Sequence, residues 1–79
     1  MWYVYIIKSV MYKYKYVGTT NDLNRRIKEH NDGICKASNP YKPFKFIAYI
    51  AAEDKKKAIG LEKYLKTGSG TSFIRRHLL

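Results

Sequence analysis

The chain has 79 residues, with 16 Lys and Arg against six Asp and Glu, for a formal net charge of +10. A chain this short makes one domain, residues 1–79, with a thin core, which excludes a deep cofactor cavity and leaves room for a shallow groove. The positive excess points to a polyanionic partner, nucleic acid before a membrane, because neutralising phosphates releases counterions and no apolar run nears the roughly 20 residues that span a bilayer.

The first element is residues 2–8, WYVYIIK, apolar on both faces and so predicted as a buried, central strand. Residues 12–18, YKYKYVG, alternate, with Tyr12, Tyr14 and Tyr16 on one side and Lys13 and Lys15 on the other. The short Ser9–Met11 connection makes the two a hairpin. Thr19, Thr20 and Asn21 offer N-cap side chains, and Asp22 sits where a helix start favours an anion. A helix is therefore predicted over residues 22–31, stopped by Gly33. Residues 33–43, with two prolines and two lysines, read as an exposed basic loop.

Residues 44–51 form a third strand, with Phe44, Phe46, Ala48 and Ile50 as its apolar face. Glu53 and Asp54 open a second helix running to about Lys66. Thr67-Gly68-Ser69-Gly70 breaks it, and Thr71 or Ser72 caps a last helix. The order β-β-α-β-α-α predicts an α+β fold: a three-stranded, mainly antiparallel sheet with the first strand central, flanked by helices.

Charge in the wrong place marks candidate site residues. At about 100° per residue, Ala58, Leu61 and Leu65 cluster on one side of the second helix, and Glu62 falls inside that arc. A carboxylate on a core-facing stripe is costly unless it is paired or bound to a cation. On the first helix, Leu23 and Ile27 make the apolar stripe, with Arg26 and His30 on the same side and Arg25, Lys28 and Glu29 pointing elsewhere. Plainer roles exist for each: a rim salt bridge for Glu62, a capped core histidine or a helix-end cation for His30, a snorkelling stem for Arg26. Asp22, Asp32, Glu53 and Asp54 sit at helix ends with ordinary dipole roles. Glu62 is then the one placed metal ligand, which excludes a two-metal cluster and leaves a single, mostly hydrated divalent ion. The one cysteine, Cys35, excludes an internal disulfide, and with no basic leader before the first strand the expected location is cytoplasmic.

Tyr3-Val4-Tyr5 followed by Tyr16-Val17-Gly18 resembles the paired motif of the GIY-YIG endonucleases. Asp22-Leu23, Arg26, His30 and Asn31 resemble that family's first helix, and the isolated Glu62 its later one. The likeness covers essentially the whole chain and is closest to the small stand-alone members, related to the excision-repair and intron-encoded endonuclease modules. It departs at Tyr3, which stands in place of the first glycine, and at Ile74-Arg75-Arg76-His77, which lacks the asparagine that larger members carry.

The resemblance implies a metal-dependent endonuclease that hydrolyses phosphodiester bonds, of DNA rather than RNA, in repair or processing. It implies one Mg²⁺ or Mn²⁺ ion held by Glu62, and a catalytic set of Tyr5, Tyr16, Arg26, His30 and Glu62. One of the tyrosines would act as base, His30 as relay and Arg26 as the grip on the scissile phosphate. Basic residues beside an aromatic ring, Lys36, Lys42 and Lys45 near Tyr41, with Lys66, form the expected nucleic-acid track. The alternative is a weak or inactive GIY-YIG-like module that binds nucleic acid without cutting it, and behind it an interaction domain whose basicity only keeps it soluble. A transient homodimer or a recruiting protein is the further partner left open.

Overall fold

The computed structural model describes residues 1–79. Strand β1 spans Trp2–Ser9, β2 spans Lys15–Thr20 and β3 spans Phe44–Ala52. They form one antiparallel sheet in the order β2-β1-β3, so the strand that is apolar on both faces is the central one. Helix α1 spans Leu23–Asn31, α2 spans Lys55–Leu65 and α3 spans Gly68–His77. A single 3₁₀ turn, Asn39–Tyr41, interrupts the basic loop.

Each face of the sheet has its own core. Val4, Ile6 and Val17 pack against Ala58, Leu65 and Ile74 of α2 and α3. Tyr5, Ile7 and Phe44 form the other cluster, closed by Leu23 and Ile27 of α1 and by Tyr14, Tyr16, Tyr41 and Phe46. One helix covers one face and two cover the other, as the alternating apolar residues of β1 require.

Four local expectations are corrected. The second strand starts at Lys15, not Tyr12, because the Ser9 hydroxyl accepts from the Met11 and Tyr12 amides at 3.2 and 2.9 Å and holds those residues in a turn. The cap of α1 is Asp22, whose carboxylate accepts from the Arg25 amide at 3.0 Å, rather than one of the residues before it. The third strand does not present one apolar face. Its register slips between Ile6↔Ala48 and Ile7↔Phe46, a bulge at Ile47. Phe44 and Phe46 consequently face α1 with Ile7, Ala48 faces α2 and α3 with Ile6, and Ile50 is exposed. Finally, α3 is capped by Thr67, which accepts from the Gly70 amide at 3.2 Å, and not by Thr71 or Ser72. Gly70 is no breaker: a Cβ there would collide with the backbone of Tyr64 and Leu65, so the glycine lets α3 lie directly on the end of α2.

Candidate active site

The register of β1 and β2 sets the site. Tyr5 is opposite Gly18 and Ile7 is opposite Tyr16, so both tyrosines point to the α1 face. A side chain on Gly18 would run into the Tyr5 ring and hydroxyl, so only glycine lets Tyr5 lean across the edge strand. Helix α1 lies over them and delivers Arg26 and His30 one turn apart from the same side.

Four side chains then connect in series. Arg26 Nε donates to the Tyr5 hydroxyl at 3.1 Å, and that hydroxyl lies 2.8 Å from His30 Nε2. His30 Nδ1 lies 2.7 Å from the Ser38 hydroxyl, which in turn donates to the Cys35 carbonyl at 3.3 Å. Since Ser38 donates onward, it accepts from His30 Nδ1–H, which leaves Nε2 to accept the Tyr5 proton. This assignment gives each proton of the series a single direction, and no buried side-chain polar atom of the protein lacks a partner. Of the two plainer roles for His30, a core histidine fits this placement and a helix-end cation does not. His30 is fully buried, and burial together with the Arg26 charge lowers it to about 4, so it is a neutral acceptor at physiological pH.

Burial also pushes the Tyr5 phenol up to about 12, against the lowering pull of Arg26. For Arg26 burial opposes the charge, but the hydrogen bonds to Tyr5 and Glu29 outweigh it and hold the guanidinium charged. Glu29 accepts from Arg26 Nη1 at 3.0 Å and so orients the fork, leaving the Nη2 pair free. The helical wheel put Glu29 away from the stripe. Its i, i+3 spacing from Arg26 was the signal that it could pair there. Ser38 and Thr19 are further supporting residues; the sequence marks Thr19 only as a candidate helix cap and Ser38 not at all. Asn31 clamps the start of β3, accepting from the Phe44 amide at 2.6 Å and donating to its carbonyl at 3.3 Å.

Glu62 reaches the edge strand from the other layer. Thr19, opposite Val4, donates to its Oε1 at 2.5 Å, and Lys66 donates to its Oε2 at 2.7 Å. Partial burial works to raise its pKa, but the Lys66 and Thr19 hydrogen bonds win, and the carboxyl sits below its ordinary value. The Lys66 ammonium is also 5.7 Å from the centre of the Tyr16 ring, and Tyr16 lies 4.8 Å from the His30 ring, centre to centre. The structure thus brings Tyr5, Tyr16, Arg26 and His30 together, and joins Glu62 to them across β2 through Lys66.

No three His, Cys, Asp or Glu side chains converge anywhere. Glu62, ionised and 23% exposed, suits one hydrated divalent cation as a lone protein ligand, on condition that the half-exposed Lys66 moves off Oε2. The expected nucleic-acid residues are dispersed. Lys36 is exposed on the loop after α1. Lys42 donates to the Asn39 side chain at 2.8 Å within the loop. Tyr41 stacks on Tyr14 at 3.9 Å, which covers one of its faces. Lys45, between Phe44 and Phe46, points to the opposite side of the sheet.

Fold and site together define a small basic α+β domain built around a tyrosine–arginine–histidine chain and one separate carboxylate. The chain belongs to the GIY-YIG family, a family of nucleases acting on nucleic acid: the GIY-YIG catalytic domain matches residues 1–75. It is 39% identical over 65 residues to the UPF0213 protein CPE1444 of Clostridium perfringens, covering 81% of this chain and 69% of that protein. It also resembles the solution NMR structure of the UPF0213 protein BH0048 from Bacillus halodurans, with a TM-score of 0.56 at 30% identity, over 96% of this chain and 84% of the other. No helix is long and apolar enough to cross a membrane.

Proposed function

We propose that this protein is an endonuclease that hydrolyses phosphodiester bonds of nucleic acid, DNA in preference to RNA, with the help of one divalent ion. The observation that carries the reading is the fixed guanidinium of Arg26. Its Nε is held by Tyr5 and its Nη1 by Glu29, while Nη2 has no partner within the chain and the side chain is 30% exposed, which leaves donors available to grip a phosphate. A charge held this firmly stabilises the transition state without reorganising.

The tyrosines divide the work. Tyr5 is sealed, with 1% of its surface exposed, and its high pKa keeps it protonated. It positions Arg26 and hands its hydrogen bond to His30. Tyr16 is partly exposed beside them, and it is the group that orients the attacking water and, acting as phenolate, takes its proton to become the neutral phenol. Glu62 would hold the metal, Mg²⁺ or Mn²⁺, which would supply positive charge for the leaving oxygen. The alternative, a module that binds without cutting, draws on the Lys66–Glu62 pair, which leaves no unengaged carboxylate oxygen at the site.

The test incubates the protein with labelled single-stranded, duplex and branched oligonucleotides in Mg²⁺, Mn²⁺ or EDTA, beside Arg26→Ala and Glu62→Ala. Metal-dependent cleavage that disappears in both variants is the expected result. Variants that cut as well as wild type would remove these residues from the mechanism. Salt-sensitive binding without any cleavage would select the binding module.

A further inference from the structure

The hairpin end of the sheet carries a charge arrangement that the proposed chemistry does not use. Lys8 on β1 is the register partner of both Lys15 on β2 and Lys45 on β3. The three lysines therefore stand in one row across the entire sheet, on the face of Val4 and Ile6 and away from Tyr5 and Tyr16. With strands about 4.8 Å apart, the row is about 10 Å long. Lys13, in the hairpin turn, joins it: Lys8, Lys13, Tyr14, Lys15 and Leu79 line a cleft of about 350 Å³.

Like charges directly opposite each other on neighbouring strands destabilise a sheet. No acidic side chain relieves that cost, because all six are engaged elsewhere. Glu29, Asp32, Glu53 and Glu62 pair with Arg25 and Arg26, Lys28, Lys57 and Lys66, while Asp22 and Asp54 cap α1 and α2. Lysines on edge strands commonly guard against unwanted pairing, which would account for Lys15 and Lys45. It does not account for Lys8, since the central strand has no free edge.

We propose that Lys8, Lys15 and Lys45, with Lys13, clamp the phosphate backbone of the nucleic acid at a segment separate from the one held by Arg26, on the opposite face of the sheet. The proposal rests on the nucleic-acid reading above and extends it to the shape of the substrate. Ammonium groups are compact charges that suit phosphates rather than base edges. The ring beside them, Tyr14, has one face covered by Tyr41, which halves the surface it offers to a base. A backbone that meets both Arg26 and the row must pass around the hairpin end. Bent or branched nucleic acid meets that requirement more readily than a short straight duplex.

The test compares wild type, the triple variant Lys8→Gln, Lys15→Gln, Lys45→Gln, and a control, Lys55→Gln, Lys56→Gln, Lys57→Gln, which removes equal charge from α2. Affinity for a branched DNA oligonucleotide is measured as a function of salt, and the melting temperature is measured without DNA. The triple variant is expected to lose about two to three units of the slope of log affinity against log salt, and the control less than about one. Because mutual repulsion is relieved, the triple variant also melts higher than wild type. A slope lost equally by the control, or retained by the triple variant while wild type still binds and cuts, overturns the clamp and leaves the nuclease reading standing. If wild type binds no nucleic acid, both fail. If inorganic phosphate, at matched ionic strength, displaces DNA from wild type but not from the triple variant at micromolar concentration, the row is a free-phosphate site and the backbone proposal is overturned.

Discussion

Arg26 is locked between Tyr5 and Glu29 inside the α1 layer, whereas Glu62 is held by Thr19 on one side and only by a half-exposed lysine on the other. The first arrangement has one hydrogen-bond pattern, carried inward through His30 and Ser38 to a backbone carbonyl. The second is the adjustable one: on the proposed reading, Lys66, half-exposed, leaves Glu62 for a phosphate and frees a carboxylate oxygen for a cation. The difference separates what must be rigid before substrate arrives from what must change when it does. A phosphate grip acts through preorganisation. A metal ligand facing solvent has to exchange its counterion.

The sharpest break in this comparison is at Arg26. Arg26→Ala is expected to lower single-turnover cleavage by about 10²–10³-fold with the fold intact. Arg26→Lys should not rescue it, because a point charge cannot hold Tyr5, Glu29 and a phosphate together. Glu62→Asp, on the adjustable side, should retain part of the metal-dependent rate that Glu62→Ala loses.

Next in size is the pH dependence of stability. His30 is neutral in the fold down to about 4 but takes a proton near 6.5 when unfolded. Between those values the unfolded state binds more protons, so stability falls as the pH drops, by up to about 3 kcal/mol in total. Urea melts at pH 7, 5.5 and 4 check this, and His30→Gln should flatten that part of the curve. Glu62, with its lowered pKa, adds stability above its unfolded value that is lost as pH falls through its folded one. That contribution is smaller, because the side chain is partly exposed.

The tyrosines test whether positioning and chemistry are separate. Tyr5→Phe leaves Arg26 Nε and buried His30 Nε2 without a partner and should cost about 1–3 kcal/mol of stability. Tyr16→Phe should shift stability by less than about 0.5 kcal/mol and reduce cleavage instead. The smallest effect is expected at Lys66. Removing an exposed ion-pair partner is worth about 0.2–1 kcal/mol, so Lys66→Ala should lower the metal concentration for half-maximal cleavage by at most about fivefold. An increase would mean that Lys66 helps to hold the cation site rather than competing for it.

The sheet order, the helix faces and the choice of Arg26 over Arg25 were legible along the chain, because each depends on periodicity within a single element. β1 is apolar on both faces and could only be central. Arg26 shares a stripe with Leu23 and Ile27 and had to point inward with them. The bulge at Ile47, the close seat of Gly70 on α2 and the His30–Ser38 bond were not legible, since each is decided by a partner from another element. The lysine row belongs with these. Lys8, Lys15 and Lys45 are ordinary surface residues in sequence, and only strand register sets them side by side. Sequence by itself determined which residues share a face, since 3.6 and 2 are properties of the backbone. Tertiary structure alone decided which faces meet, what is buried where they do, and therefore which charges are held and which are free to move.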